Sequence, residues 1–455
     1  MSDWQSRSFW LGRRPYDPGP RLDGDLSTDV VIVGGGFTGL WTALHLKAAD
    51  PSIDIVILEQ KVVGYGASGR NGGFAMTMVG RNIHDLARKA GDRRARATHL
   101  AMRESLHEIE EVALEEGFDA DITNPGVLTV SNGPEQDLRI RQDVDTAERL
   151  GLEDFRFLTG TECQQLVHSD KLRCGHLEDD SLLVDPAALT RGLRKAAERL
   201  GVRVMELTPC DQVLDMGGLR VEARTPFGTV HADRALIATN AYAHSIPRLR
   251  RWIFTIYAYI ILTEPLTDEQ WARVGWERRM GIEDKRILPH FHRPTADGRI
   301  LWGGRDAPFS AEGPNPRRDR DPRIFDRLEE TFRWTFPQLG DVAIELGWAG
   351  PVCGTVNCFA SIGWLGTSER VAYALGYAGH GVGPTHLAGK IVRDLMLNRR
   401  SELLDLPMVT KRPVRLPPAP LRGWLLDGAE RLLLRADDRG SDAGPLVKTA
   451  LKVLQ

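Results

Sequence analysis

The chain has 455 residues, enough for about two to four domains, and its 42% hydrophobic and 27% charged content is ordinary for a globular protein. Lys plus Arg (59) nearly balance Asp plus Glu (62), a formal net charge of −3, so no global basic field exists to gather phosphate backbones and a general nucleic-acid binder is disfavoured. Five cysteines (Cys163, Cys174, Cys210, Cys353, Cys358) without a C-x-x-C pair argue against a disulfide framework or a zinc site. The most apolar run, Trp252 to Leu262, is far below the roughly 20 residues of a span. The N-terminus carries charges and prolines where a secretory peptide needs an apolar core. The expectation is a cytoplasmic chain with reduced thiols, no metal and no membrane span, and nothing in the sequence fixes its oligomeric state.

Residues up to about Thr28 read as a polar, Pro- and Gly-bearing arm. Asp29-Val-Val-Ile-Val-Gly-Gly-Gly then reads as a buried strand running into glycines, Leu40 to Ala49 as a helix, and Ile53 to Leu58 as a second strand. Together they make a βαβ unit with a parallel pair. Arg93 to Glu116 has the spacing of an amphipathic helix ended by Gly117. Pro186 to Leu200 reads as a helix behind Asp185 as N-cap, and Val202 to Leu207 as a strand. Alternation from Leu219 to Trp302 predicts a largely antiparallel sheet. The stretch Gly313 to Pro322, with both charge signs and three prolines, reads as a solvated loop without a binding role. A Pro-rich connector, Arg412 to Pro420, leads to a short helix around Trp424 to Ala436.

Gly34-Gly-Gly36-Phe37-Thr38-Gly39 satisfies G-x-G-x-x-G between a strand and a helix. Gly34 serves the tight turn, Gly36 the close approach of a pyrophosphate, and Gly39 the packing of helix on strand, while the helix N-terminus presents unpaired N–H groups to the phosphates. Glu59 ends the second strand 20 residues later, where a carboxylate accepts bonds from both ribose hydroxyls and repels a 2′-phosphate. These residues predict an adenine dinucleotide with a free 2′-hydroxyl.

Gly64-Tyr-Gly66-Ala67-Ser68-Gly-Arg70-Asn71-Gly72-Gly73-Phe follows that strand closely, placing small residues where backbone must approach a ligand. An NAD domain has no need of it. Three further stretches are distinctive: Leu236-Ile-Ala-Thr239-Asn-Ala-Tyr242, Trp348-Ala-Gly-Pro-Val352-Cys-Gly-Thr-Val-Asn357, and Gly376-Tyr-Ala-Gly379-His380-Gly381-Val382-Gly383-Pro384. In these motifs, from about Val30 to Val409, the chain resembles the FAD-dependent D-amino-acid oxidase/glycine oxidase superfamily, the DAO family. Its look is most similar to the branch holding γ-glutamylputrescine oxidase and aminophosphonate oxidoreductases.

The resemblance implies an α/β fold: a Rossmann-like FAD-binding domain, of the glutathione-reductase-like βαβ type, with a second, largely antiparallel substrate domain. We expect the FAD domain in residues 27–92, 155–245 and 346–400, the substrate domain in 93–154 and 246–345, and a connector and tail in 401–455. Besides the glycine turn and Glu59, the implied FAD contacts are Gly66, Ala67, Ser68, Arg70, Asn71, Gly72, Val204, Thr239, Gly379, Gly381, Val382 and Gly383. By the same resemblance, the helix opening near Pro384 faces the flavin pyrimidine carbonyl and its dipole stabilises the anionic reduced ring. Arg70 and Gly350 stand where some relatives carry a flavin-linking His or Cys, so the FAD is expected to be non-covalent.

The implied chemistry is transfer of a hydride from an amine's carbon to flavin N5, with O2 or another acceptor taking the electrons. The pocket candidates are Tyr257, Tyr259, His290, His292, Trp348 and His380, each His having an alternative reading as a hydrogen-bonded structural group. Period-two spacing puts Tyr257 with Tyr259, and His290 with His292, on common faces. Val352 stands where glycine-oxidase-like relatives place the Arg that pairs with a substrate carboxylate. Valine cannot replace that clamp, which turns the expectation toward amines or aminophosphonates held by other groups, Arg293 and Arg305 among them. A sarcosine- or proline-type substrate is the alternative, and a flavin-binding protein without turnover the reading from another class.

Overall fold

The structure, a computed structural model, describes residues 4–410 and 414–439. In chain order its strands are β1 (Leu26–Val33), β2 (Ile55–Leu58), β3 (Phe74–Ala75), β4 (Val127–Ser131), β5 (Phe155–Thr159), β6 (Cys174–Glu178), β7 (Leu182–Leu183), β8 (Arg203–Met205), β9 (Gln212–Asp215), β10 (Val221–Thr225), β11 (Gly228–Ile237), β12 (Ile253–Thr263), β13 (Gly281–Asp284), β14 (His290–Pro294), β15 (Ile300–Gly304), β16 (Phe309–Ser310), β17 (Ile344–Thr355), β18 (Ser361–Trp364) and β19 (Val371–Leu375). The α-helices are α1 (Phe9–Gly12), α2 (Phe37–Ala49), α3 (Ile83–Ala90), α4 (Asp92–Glu115), α5 (Pro134–Arg149), α6 (Gly160–Leu166), α7 (Pro186–Arg199), α8 (Asp268–Val274), α9 (Pro322–Thr335), α10 (Val382–Met396) and α11 (Leu421–Arg439).

The first sheet has the order β18-β19-β11-β1-β2-β8, with β9 and β10 hanging off β11. Its centre is parallel: β1 pairs with β2 from Val30↔Ile55 to Val33↔Leu58 and with β11 on its other side. A parallel strand covered on both faces must be apolar throughout, and residues 55–58 are buried at every position. Helices α2, α7 and α10 cover one face in a shared core with Ile32, Ile55 and Ile57. Helix α7 starts as its sequence predicts: the Asp185 carboxylate accepts from the amides of Ala187 and Ala188 at 3.0 Å, and Pro186 occupies the first turn, where an N–H would be orphaned.

The second sheet, β16-β12-β15-β14-β13-β4-β6-β5 with β17 on β12, is mostly antiparallel. Two expected boundaries are corrected by its pairing. Strands β5 and β6 join β4, and β17 pairs with β12 from Ile253↔Thr355 to Thr263↔Ile344, so 155–178 and 344–355 run in this sheet and not with the nucleotide-binding segments. The alternating sequence after Leu219 divides likewise, β10 and β11 extending the first sheet and β12 to β15 building the second.

The described parts of both terminal segments are docked. In the arm, Trp10 and Leu11 are buried, the Trp10 indole donates to Asn71 O (2.9 Å), and Ser8 Oγ donates to Gly69 O (2.7 Å). The loop after Gly313, expected to be merely solvated, is strapped down: the Tyr257 hydroxyl accepts from Asn315 N (2.7 Å), Tyr259 donates to Arg318 O, and Asp319 pairs with Arg70 (2.9 Å) and Arg7 (3.3 Å). Helix α11, longer than predicted, packs Leu426 and Leu433 against Phe254 and Phe309. Its Asp437 accepts from the amides of Ile287 and Leu288. Residues 411–413 of the connector region and 440–455 of the expected tail lie outside the described residues. Among the described residues no helix is long and apolar enough to cross a membrane.

Candidate active site

The glycine turn has the geometry its sequence predicts. Gly34 has φ +115°, and a Cβ there would lie 2.6 Å from Ala238 O, so turn and close backbone approach both demand glycine. Helix α2 begins after Gly36 with no side-chain cap of its own. Ser68 Oγ, from the following loop, accepts from Phe37 N (3.0 Å) and would sit 2.9 Å from a Cβ at Gly36. The opening between Gly36 and Ser68 is therefore one a side chain would close. Asn71 holds that loop in shape, donating to Ala67 O (2.9 Å) and accepting from Gly73 N (2.7 Å).

Glu59 stands at the end of β2 and accepts from Gly35 N (2.8 Å) and Lys61 N (2.9 Å). Burial, with Glu206 nearby as a second carboxylate, pushes its carboxyl up to about 7 despite those two bonds. The Thr239 hydroxyl, beside Gly34, is buried without a hydrogen-bond partner. Val204 turns its side chain into the core, so edge strand β8 has only backbone to offer a ligand there.

At the far end, Gly379 has φ +96° and open space around its Cβ direction, and α10 opens at Val382 after Gly381 without a side-chain cap. A Cβ at Gly383 would meet Met76 O at 3.0 Å. Two helix N-termini with glycine at the cap position, an orphaned buried hydroxyl and a path that side chains would block fit the pyrophosphate, ribose and flavin pyrimidine of FAD.

Arg70, expected among the FAD contacts, is held mainly by protein. Nε donates to Tyr65 O (2.8 Å) and Nη1 to Asp319 (2.9 Å), and a Cβ at Gly350 would touch its side chain. Its Nη2 alone is buried without a partner.

The pocket candidates separate by face. The side of the second sheet turned toward the first unit carries Phe291, whose ring meets Phe74 edge-on at 5.8 Å, together with Ile260, Leu301 and Trp348. Trp348 donates from its indole to Arg70 O (2.9 Å). Tyr257, Tyr259, His290 and His292 point the other way. The two tyrosines belong to the core beneath α9 with Trp276, Trp302 and Phe332. His292 stacks on Trp302 at 4.3 Å, and His290 lies 5.4 Å from the same ring, its Nδ1 3.0 Å from Asp284. These four pack in a helix-covered core, on the side of the sheet opposite Phe291 and Trp348.

His380 keeps its place between the glycines, its Nδ1 buried without a partner and its pKa pushed by burial down to about 4, which makes it a neutral imidazole at physiological pH. Arg293 donates to the carbonyls of Gly73 (3.1 Å) and Val184 (2.9 Å), and Arg305 pairs with Asp438, so both arginines hold structure. Val352 lies opposite Ile256 in the β12–β17 ladder, and Cys353, one residue on, packs into the core of the first sheet.

Sequence reasoning missed a polar group on the flavin-facing side of β4, β6 and β13. Thr129, His176, Glu178 and Glu283 line a narrow cleft with Thr77, Lys285 and Asp143. The signal was present as polar residues at period two, His176 with Glu178 and Glu283 with Lys285.

The DAO family profile, FAD dependent oxidoreductase, matches residues 29–395. The chain is 32% identical to gamma-glutamylputrescine oxidoreductase of Escherichia coli (strain K12) over 398 residues, 87% of this chain and 90% of that protein. It is 24% identical to glycine oxidase of Bacillus licheniformis, covering 81% of this chain and 93% of that one. Among solved structures, glycine oxidase from Geobacillus kaustophilus superposes with a TM-score of 0.72 at 18% identity, over 86% of this chain and all of that one. The glycine cradle, the paired helix ends and a match spanning most of the sequence carry one conclusion: the chain belongs to the DAO family of FAD-dependent oxidoreductases, enzymes that act on amines or amino acids.

Proposed function

We propose that this enzyme oxidises the CH–NH bond of a small amine without an α-carboxylate clamp, a γ-glutamylputrescine-like amine being the leading substrate. The observation that carries this reading is the apolar Ile256/Val352 pair at the clamp position, with Arg293 and Arg305 engaged elsewhere. A carboxylate brought there would lose hydration and gain no ion pair, at a cost of several kcal/mol. The likeness to gamma-glutamylputrescine oxidoreductase over 90% of that protein supports the same class.

Bound FAD supplies a two-electron acceptor for the hydride leaving the nitrogen-bearing carbon, after which water hydrolyses the product imine to an aldehyde and an amine or ammonia. The chain's own part is to position and to keep the pocket dry. Phe74, Phe291 and Trp348 form an apolar wall that excludes water, and His380, between Gly379 and Gly381, stays uncharged, adding no repulsion to a cationic substrate. With O2 as acceptor, the electrons leave as hydrogen peroxide.

Anaerobic bleaching of the flavin by glycine, D-alanine, sarcosine, γ-glutamylputrescine and 2-aminoethylphosphonate tests the reading. The expected result is fastest reduction by γ-glutamylputrescine. Fastest reduction by glycine or D-alanine would overturn the argument from Val352, and fastest reduction by 2-aminoethylphosphonate would move the enzyme to the aminophosphonates.

A further inference from the structure

The cleft on the flavin-facing side of the second sheet is not needed for any FAD contact derived above, yet it gathers buried charge. Its floor is the register β13-β4-β6, where Glu283 neighbours Thr129 and Thr129 neighbours His176, with Glu178 two residues along β6. Glu178 and Glu283 are 3% and 6% exposed. One oxygen of each is held, Glu178 Oε1 by the Thr77 hydroxyl (2.5 Å) and Glu283 Oε1 by the Thr129 hydroxyl (3.3 Å). Among the described residues neither Oε2 accepts a hydrogen bond. Asp143, by contrast, is neutralised: burial alone would raise its carboxyl, but the Lys285 ammonium on it and His176 beside it hold it at about 2.

His176 is the second, independent sign of a ligand. It is 3% exposed and lines the cleft, yet neither ring nitrogen has a hydrogen-bond partner, Asp143 lying 3.8 Å away. A buried imidazole with both nitrogens unbonded is costly unless something completes it, and the two carboxylates lining the same cleft each keep one oxygen without a donor. The cleft admits a water-sized group, which is the size of an alkylammonium tip. Its walls at Met76 and Thr77 continue the segment that closes on Gly383 at the start of α10, so it opens beside the flavin pyrimidine end.

We propose that Glu178 and Glu283 form a recognition site for a second ammonium group, at the end of the substrate away from the carbon being oxidised, so that the enzyme prefers amines carrying a distal cation. The proposal rests on the amine-oxidising reading and narrows its substrate class. Charge-assisted hydrogen bonds of this kind are strong enough to make the distal group worth about tenfold or more in binding.

The test compares n-butylamine with 1,4-diaminobutane, equal in their reacting end, by calorimetric binding to the FAD-loaded full chain and by anaerobic flavin reduction. The expected result is at least about tenfold tighter binding of the diamine, the ratio falling to about threefold or less in Glu178→Gln and Glu283→Gln. Equal binding of the two amines by the wild type, or a ratio unchanged in both variants, would overturn the proposal. A diamine preference that both variants lose, without flavin reduction by either amine, would keep the cation site and reject the oxidation of such amines.

The wild type alone gives a second reading should a variant fail to fold. Burial pushes the Glu178 carboxyl up to about 7, so the diamine advantage should grow from pH 6 to pH 8 as that group ionises. The groups facing it are Glu283, His176, Asp143, Lys285, His99 and Asp154. An advantage that is flat or falls over that interval would contradict the assignment.

Discussion

The two faces of the second sheet are built from the same strands and do opposite work. On one, Tyr257, Tyr259, His292 and Trp302 meet the rings of α9 and its neighbours in an aromatic core, with the tyrosine hydroxyls bonded to the 315–318 loop and the Trp302 indole to Thr331. On the other, Phe291, Thr129, His176, Glu178 and Glu283 face the cofactor-binding unit, where the polar groups line a narrow cleft. Because side chains alternate, adjacent residues of one strand belong to different environments, and a shift of one position separates packing from chemistry.

The largest effect that separates the faces should come from Trp302→Ala. Removing the ring on which His292 stacks and against which Phe332 packs should cost about 3–5 kcal/mol of stability. Denaturant unfolding measures it, and a loss below about 1 kcal/mol would show that this core is not the sheet's main anchor.

His292 offers a pH probe of the same face. Burial pushes its pKa down to about 3, so the folded protein refuses a proton that the unfolded chain takes up near 6.5. The sign follows: its contribution is present above about 6.5 and is lost as pH falls toward 3. Between pH 7.5 and 5.0 the loss assigned to this one group is about 2 kcal/mol, and His292→Phe should reduce the protein's acid sensitivity by that amount. An unfolding free energy whose change over that interval is the same in the variant would contradict the burial argument.

The cofactor cradle gives the next contrast, because it works by missing side chains where the second sheet works by present ones. Gly36→Val should abolish FAD retention in a protein that still folds, as judged by circular dichroism, since its side chain would fill the opening beside Ser68. Full flavin content in that variant would place the pyrophosphate elsewhere. Glu59→Gln should weaken FAD binding by about 1–2 kcal/mol, and the wild-type affinity should improve from pH 6 to pH 8 as the carboxyl at about 7 ionises. A dissociation constant indifferent to both changes would remove Glu59 from the ribose.

That contrast also explains what the sequence could tell. Gly34, Gly36, Gly39 and Glu59 were legible because their roles follow from backbone geometry within one βαβ unit, where spacing along the chain nearly fixes position in space. The helices at Pro186 and Arg93 were legible from caps and periodicity for the same reason. The face taken by Tyr257 and His292 was not. Alternation says that two residues share a side, but which side meets the cofactor depends on α9 and on the Phe74 segment, each many residues away. Strands β5 and β6 were assigned to the wrong unit because pairing with β4 is a long-range choice. Glu178 and Glu283 escaped because each is an ordinary strand carboxylate until β4 brings them together.

The most direct measurement uses neighbours in one strand, Phe291 on the cofactor-facing side and His292 on the helix-covered side. Anaerobic stopped-flow reduction of the bound flavin by a single good amine substrate would be compared in Phe291→Ala and His292→Phe. Reduction should slow in Phe291→Ala by about tenfold or more, as the opened pocket admits water, and stay unchanged in folded His292→Phe. A rate lost with His292 and kept without Phe291 would put the reaction on the other face and contradict the assignment of the site.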